Sequence, residues 1–101
     1  MTKVSLKEAL QVPFDIDGRI LYHAADYEIV HITLQPGESI AEHTNPFDVV
    51  FFIVEGNATI TVDTETEDLN PSDTIFVNQS VNRGVANKTD KIVRLLVFKM
   101  M

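Results

Sequence analysis

The chain has 101 residues and carries a formal net charge of −7 at pH 7. This length suits a single domain, residues 1–101. The acidity argues against nucleic acid or an anionic membrane as a partner, because both attract basic surfaces. Cysteine is absent, which excludes disulfides, thiolate metal sites and cysteine nucleophiles. The N-terminal residues have no long apolar stretch like that of a signal peptide, and no apolar run approaches the ~20 residues that span a bilayer, so we expect a cytoplasmic protein.

A short helix is predicted near the N-terminus, over Ser5 to Leu10. Ser5 has the hydroxyl of a typical N-cap, and Glu8 lies three residues later, as in a capping box. The remainder of residues 1–26 is predicted to contain one strand, from Arg19 to Tyr22.

Short strands dominate the rest of the chain, because stretches rich in β-branched residues are separated by Gly, Pro, Asn and Asp. We predict strands over Tyr27–Leu34, Val49–Val54, Ala58–Val62, Thr74–Val77, Gly84–Asn87 and Ile92–Lys99, with a polar hairpin region at 63–68. About eight to ten short strands without a second helical pattern predict an all-β sandwich or barrel.

Two of these segments, Val49–Val54 and Val93–Phe98, are apolar at almost every position. Successive side chains of a strand point to opposite faces, so only one face of each can fill a barrel. The other face needs a cover, either the N-terminal segment or a second subunit. We predict a homodimer formed by sheet packing.

The spacing of residues in the first half follows a known pattern. Gly37 is followed after five residues by His43, then Asn45 and Val49, and Gly56 comes seven residues after Val49. This resembles the first motif of the cupin family: Gly, five residues, His, one residue, His, three or four residues, Glu, six residues, Gly. Asn45 stands where the second His belongs, and Val49 where the Glu belongs.

The second cupin motif has a counterpart that includes Asp73, Arg83 and Asn87. Arg83 stands where that motif has its His, while Asp73 and Asn87 match. The resemblance covers residues 27–99 and implies a small single-domain cupin of the RmlC-like type. It implies a double-stranded β-helix, or jelly-roll barrel.

Family members bind one metal ion through four side chains inside the barrel. The resemblance places His43, Asn45, Val49 and Arg83 at those four positions. Valine has no donor atom, and a guanidinium repels a cation in a partly desolvated cavity. We therefore expect no cofactor, and we disfavour a divalent metal.

We predict that the metal-free barrel binds a small polar or anionic molecule. A guanidinium suits a carboxylate or a phosphate, and imidazole and carboxamide groups both donate and accept hydrogen bonds. The alternative is that Arg83 pairs with Asp48 or Glu42 and that the other polar groups only satisfy backbone atoms. The predicted ligand-binding residues are His43, Asn45, Val49, Phe51 and Arg83.

Two other functions remain open. The chain could be an enzyme: a metal-free isomerase with His43 as base, or a metal-dependent dioxygenase type in which His23, His31 or Asp48 supplies the missing ligands. It could also be a structural module whose barrel is filled by side chains. No catalytic residue is assigned.

Overall fold

The computed structural model describes residues 1–101 and consists of ten strands joined by turns, without an α-helix. No helix is therefore long and apolar enough to cross a bilayer. The strands are β1 (Leu10–Gln11), β2 (Asp17–His23), β3 (Tyr27–Leu34), β4 (Ser39–His43), β5 (Asp48–Glu55), β6 (Ala58–Val62), β7 (Glu65–Leu69), β8 (Thr74–Val77), β9 (Arg83–Ala86) and β10 (Val93–Met100).

The strands form two antiparallel sheets. The larger sheet has the order β1-β2-β3-β10-β5-β8, and the smaller sheet has the order β4-β9-β6-β7. From β3 onward each strand lies in the other sheet from the strand before it, except β7, which pairs with β6, and non-consecutive strands such as β3 and β10 lie side by side. This arrangement confirms the predicted all-β jelly roll.

The core lies between the two sheets and follows the two-residue period of the strands. In β5, Val49, Phe51 and Ile53 are buried, whereas the residues between them are half-buried on the opposite face. The same alternation in β10 buries Val93, Leu95 and Val97. The core comprises Val30, Ile32, Leu34, Val49, Phe51, Ile53, Ala58, Ile60, Leu69, Val77, Val85, Val93, Leu95 and Val97.

The predicted N-terminal helix over Ser5 to Leu10 is wrong. The segment makes one turn, in which the amides of Glu8 and Ala9 both donate to the Ser5 carbonyl at 3.1 Å. The Ser5 hydroxyl is buried without a hydrogen-bond partner, so it caps nothing. Six residues cannot offset the cost of helix nucleation, and Leu10–Gln11 instead pairs with β2 as β1.

Two features of the smaller sheet differ from the sequence prediction. Strand β4 was not predicted, because Ser39–His43 is short and mostly exposed, with little of the apolar alternation that marks a strand. The polar hairpin is confirmed in outline, but Glu65–Leu69 is itself a strand paired with β6. Asp63 adopts φ 53° at the turn between them, a conformation that Asp tolerates better than most residues.

Candidate functional site

A cavity of about 500 Å³ lies between the sheets and opens at one end of the barrel. Because the side chains leave this volume unfilled, the structure does not fit a barrel packed solid. All five predicted ligand-binding residues line the cavity, together with a loop of the N-terminal segment, residues 12–16. Its apolar wall includes Val30, Ile32, Val49, Phe51 and Val97.

Arg83 is the most unusual residue of this cavity, because its charged side chain is only 1% exposed. It is the first residue of β9, and it lies opposite His43 of β4 on one side and Val62 of β6 on the other. Its Nη1 donates to the Val81 carbonyl at 3.1 Å, and its Nε has no hydrogen-bond partner. Burial lowers the pKa of the guanidinium from its ordinary value, because a charged group loses water when it is buried.

No carboxylate neutralises this buried charge. The alternative in which Arg83 pairs with Asp48 or Glu42 is wrong, since neither forms an ion pair with it. Asp48 accepts a hydrogen bond from the Gln79 amide at 2.7 Å. Glu42 accepts one from the Asn82 carboxamide, also at 2.7 Å. The guanidinium is therefore a buried cation held only by neutral groups.

Asn45 covers one edge of the guanidinium. When its carboxamide oxygen faces Arg83, it accepts from Nη2, and its nitrogen donates to the Thr44 carbonyl at 3.1 Å. The opposite orientation would set the NH₂ group of Asn45 against the NH₂ group of Arg83, donor against donor. The hydrogen bonds thus fix which way the carboxamide points.

His43 is held in one tautomer by the backbone. Its Nδ1 lies 2.8 Å from the Ala41 carbonyl oxygen, so Nδ1 must carry the hydrogen. In the neutral ring, Nε2 then bears a lone pair. His43 is exposed at the rim of the cavity, and it offers either an acceptor or, when protonated, a second cation.

Lys99 is a further charged residue of the cavity that the sequence analysis did not select. Its Nζ lies 3.3 Å from Oε1 of Glu28, whose other oxygen lies 2.8 Å from Nδ1 of His23. The inward positions of β10 run Val93, Leu95, Val97 and then Lys99, so the alternation itself could have identified it.

The four positions of the family's metal site do not fit a metal ion. Only His43 offers a good donor, Val49 offers none, Arg83 brings a charge of the wrong sign, and the oxygen of Asn45 already faces Arg83. No three His, Asp or Glu side chains gather anywhere in the chain. These residues therefore do not form the metal site of the family.

The three residues considered as replacement ligands lie elsewhere. His23 pairs with Glu28, and Asp48 is hydrogen-bonded to the Gln79 amide. His31 lies between two core residues of β3, so its side chain points out of the barrel. None of the three joins His43 at the cavity.

Comparison with known proteins agrees with this geometry. A family model described as a Cupin domain matches residues 30–99. The chain is 31% identical over 67 residues to the tetracenomycin polyketide synthase protein TcmJ of Streptomyces glaucescens. That match covers 65% of this chain and 45% of the relative, so this chain spans less than half of that protein's length.

Solved structures show the same fold. An RmlC-like cupin from Shewanella frigidimarina superposes with a TM-score of 0.87 at 18% identity, over 99% of this chain and 90% of that one. TT1209 from Thermus thermophilus gives 0.85 at 22% identity, over 99% and 97%. KdgF from Halomonas sp. gives 0.84 at 16% identity, over 100% and 94%. Identities this low establish the fold alone.

Proposed function

The chain belongs to the cupin family, and we propose that its barrel binds a small organic anion, with Arg83 as the group that recognises the negative charge. The observation that carries this proposal is a buried guanidinium that lines a cavity and has no carboxylate partner. A buried charge without a counter-ion is costly, and an anionic ligand would supply one.

The hydrogen bonds of Arg83 indicate which edge would meet the ligand. Nη1 is engaged by the Val81 carbonyl, whereas Nε is unpaired and Nη2 meets only the carboxamide of Asn45. Nε and Nη2 form one edge of the planar guanidinium, the edge that takes a carboxylate through two parallel hydrogen bonds. Binding would require Asn45 to turn aside, because Arg83 is almost fully covered. The exchange replaces one bond to a neutral carboxamide by two parallel bonds to a carboxylate, whose negative charge also neutralises the guanidinium, so it is favourable.

The walls of the cavity favour an anion with an apolar body. Val30, Ile32, Val49, Phe51 and Val97 offer hydrocarbon surface, and a ligand that covers it gains about 25 cal/mol per Å². The name of the curated relative, a polyketide synthase protein, supports an organic ligand of this kind.

Binding accounts for the site better than catalysis does. An isomerase that used His43 as base would need an orienting carboxylate and an opposing proton donor. The Nδ1 of His43 meets a backbone carbonyl instead, and the two phenols, Tyr22 and Tyr27, stack on each other 5.5 Å apart. The cytoplasmic location stays a prediction from sequence.

A thermal-shift screen with matched ligand pairs tests this proposal. Benzoate and succinate are compared with benzamide and succinamide, which keep the shape and lose the charge. We expect the carboxylates to raise the Tm of the wild type and the amides to leave it unchanged. Arg83→Met keeps the hydrocarbon stem and removes the charge, so it should abolish the shift. Equal shifts in the wild type and Arg83→Met would contradict the proposal.

Asn45 provides a second test with the opposite sign. If its carboxamide competes with the ligand for Nη2, Asn45→Ala should bind the carboxylates more tightly, by about tenfold or more for one hydrogen bond of the guanidinium no longer displaced. Calorimetric titration of both proteins with the best carboxylate measures this. Weaker binding by Asn45→Ala would show that Asn45 holds the ligand rather than competing with it.

A further inference from the structure

His43 presents a hydrogen-bond acceptor to the cavity that no group of the chain uses. Its Nδ1–H donates to the Ala41 carbonyl at 2.8 Å, so the neutral ring carries its lone pair on Nε2. The carboxamide of Asn45 lies 3.5 Å from Nε2. Because the hydrogen bond to Arg83 turns the carboxamide oxygen to this side, two acceptors face each other there and no hydrogen bond forms.

This free acceptor lies beside the edge of Arg83 that would meet a ligand. Arg83 and His43 are directly opposite each other on β9 and β4. The carboxamide oxygen of Asn45 accepts from Nη2 of Arg83 and lies 3.5 Å from Nε2 of His43, so one atom position is close to both side chains. A carboxylate oxygen that replaces the carboxamide oxygen would occupy this position. The next polar group of the ligand would then lie beside Nε2, where only a hydrogen-bond donor can bind.

We propose, on the basis of the function proposed above, that the preferred ligands are α-hydroxy carboxylic acids. The carboxylate binds Nε and Nη2 of Arg83, and the hydroxyl on the adjacent carbon donates to Nε2 of His43. The rest of the molecule covers the apolar wall at Val49 and Phe51. Arg83 thus supplies the attraction for the anion, and His43 determines which anion is preferred.

The charge of the cavity disfavours an α-amino acid, which also carries a donor on this carbon. Its ammonium group would lie beside the buried guanidinium of Arg83, which repels it. Glu42 and Asp48 do not compensate, because each already accepts a hydrogen bond from another part of the chain. A hydroxyl group offers the same hydrogen without the charge.

The cavity also disfavours a second carboxylate next to the first. Its oxygens would face the lone pair of Nε2 of His43, acceptor against acceptor. Lys99, the other cation that lines the cavity, is already paired with Glu28 at 3.3 Å. A neutral donor is therefore the group that fits beside the bound carboxylate.

The backbone holds both recognition groups in place. Nη1 of Arg83 donates to the Val81 carbonyl, and Nδ1 of His43 donates to the Ala41 carbonyl. Together with the apolar wall, these two groups give a ligand three contacts in fixed positions. Three such contacts distinguish the two enantiomers of an α-hydroxy acid, so we expect one enantiomer to bind more tightly.

Three acids that share one skeleton test this proposal. Phenyllactate, phenylpropanoate and phenylalanine differ only in the group next to the carboxylate: a hydroxyl, a hydrogen or an ammonium. Calorimetric titration is carried out at about pH 8, where imidazole is neutral. We expect the better enantiomer of phenyllactate to bind about tenfold more tightly than phenylpropanoate, for one added hydrogen bond. Phenylalanine should bind more weakly than phenylpropanoate.

His43→Phe keeps a ring and removes both nitrogens. It should bind phenyllactate no more tightly than phenylpropanoate, and its affinity for phenylpropanoate should equal that of the wild type. His23→Phe is the matched control, because His23 is an exposed histidine that pairs with Glu28 and does not line the cavity. It should keep the preference for phenyllactate. Circular dichroism confirms that both variants are folded, and the wild-type titrations stand without them.

The outcomes separate this proposal from the function on which it rests. Equal affinity of the wild type for phenyllactate and phenylpropanoate would overturn the preference for a hydroxyl and leave anion binding intact. Tightest binding of phenylalanine would also overturn it. A preference for phenyllactate that persists in folded His43→Phe would show that His43 is not the acceptor. Binding of none of the three acids would instead contradict the proposed function itself.

Discussion

Replacing Arg83 by methionine should separate stability from binding. If Arg83 served to stabilise the fold, its removal would destabilise the protein. Breaking a buried ion pair, for example, typically lowers the free energy of unfolding by about 3–5 kcal/mol. Arg83 has no such pair. Its charge is buried for another reason, which we propose is the ligand.

The expected change in the free energy of unfolding follows from the contacts of Arg83. Desolvating the charge, including the unpaired Nε, costs several kcal/mol. The bonds to Val81 and Asn45 return about 1.5–3 kcal/mol each. Methionine keeps most of the apolar packing and avoids the charge. We expect Arg83→Met to gain about 1 kcal/mol, or about 5 °C in Tm for a domain of this size.

Binding should change in the other direction. Two charge-assisted hydrogen bonds to one carboxylate contribute about 3 kcal/mol or more, so the variant should bind benzoate at least about 100-fold more weakly. Urea unfolding without ligand and calorimetric titration with benzoate give the two values. A loss of stability above about 3 kcal/mol with unchanged affinity would refute the reasoning, because Arg83 would then be a structural residue.

Three further predictions concern stability and are all measured by chemical unfolding. Gly56 has φ +80°, and a Cβ there would lie 2.3 Å from the Ile92 carbonyl oxygen, so Gly56→Ala should lower the free energy of unfolding by about 3 kcal/mol or more. Gly37 has φ +85° but open space around it, so Gly37→Ala should lower it by only about 1 kcal/mol. Equal losses in the two variants would contradict the clash at Gly56. Burial and then the charge of Arg94 lower the pKa of His31, only partly opposed by Asp17, so its neutral form is favoured in the folded state. Stability should therefore fall as the pH drops below about 6.5, and His31→Gln should flatten that fall; identical pH profiles would exclude this role. The buried Asn87 side chain donates to the Leu34 and Lys91 carbonyls and accepts two hydrogen bonds from Thr89. Asn87→Ala should therefore lower the free energy of unfolding by about 3 kcal/mol. A decrease below about 1 kcal/mol would contradict these hydrogen bonds.

The fold was largely predictable because its strands carry their own signals. The alternation in Tyr27–Leu34 and the apolar runs Val49–Val54 and Ile92–Lys99 mark strands that lie at the centre of the larger sheet. Strand β4 lacks such a signal, because it is exposed and is defined by its pairing with β9. The error at Ser5–Leu10 arises because the segment is too short to offset helix nucleation, and its last residue pairs with β2 instead.

The sequence predicted which residues line the cavity but not the hydrogen bonds between them. The family motifs located His43, Asn45 and Arg83, and all three line the cavity. Sequence spacing could not show that Asn45 would occupy Nη2 of Arg83, because that contact depends on how side chains of the loop after β4 and of β9 are oriented. It also did not show that Glu42 would meet Asn82 instead of Arg83, since the partners lie 40 residues apart in the chain.

The most direct test of the central claim observes the guanidinium itself. In heteronuclear NMR, the Nε–H resonance of Arg83 is identified by its loss in Arg83→Met and is followed during titration with benzoate and with benzamide. We expect benzoate to shift this resonance saturably and benzamide to leave it in place. If benzoate binds elsewhere, or not at all, and the Nε–H of Arg83 does not move, the buried charge does not recognise an anion and the proposed function is wrong.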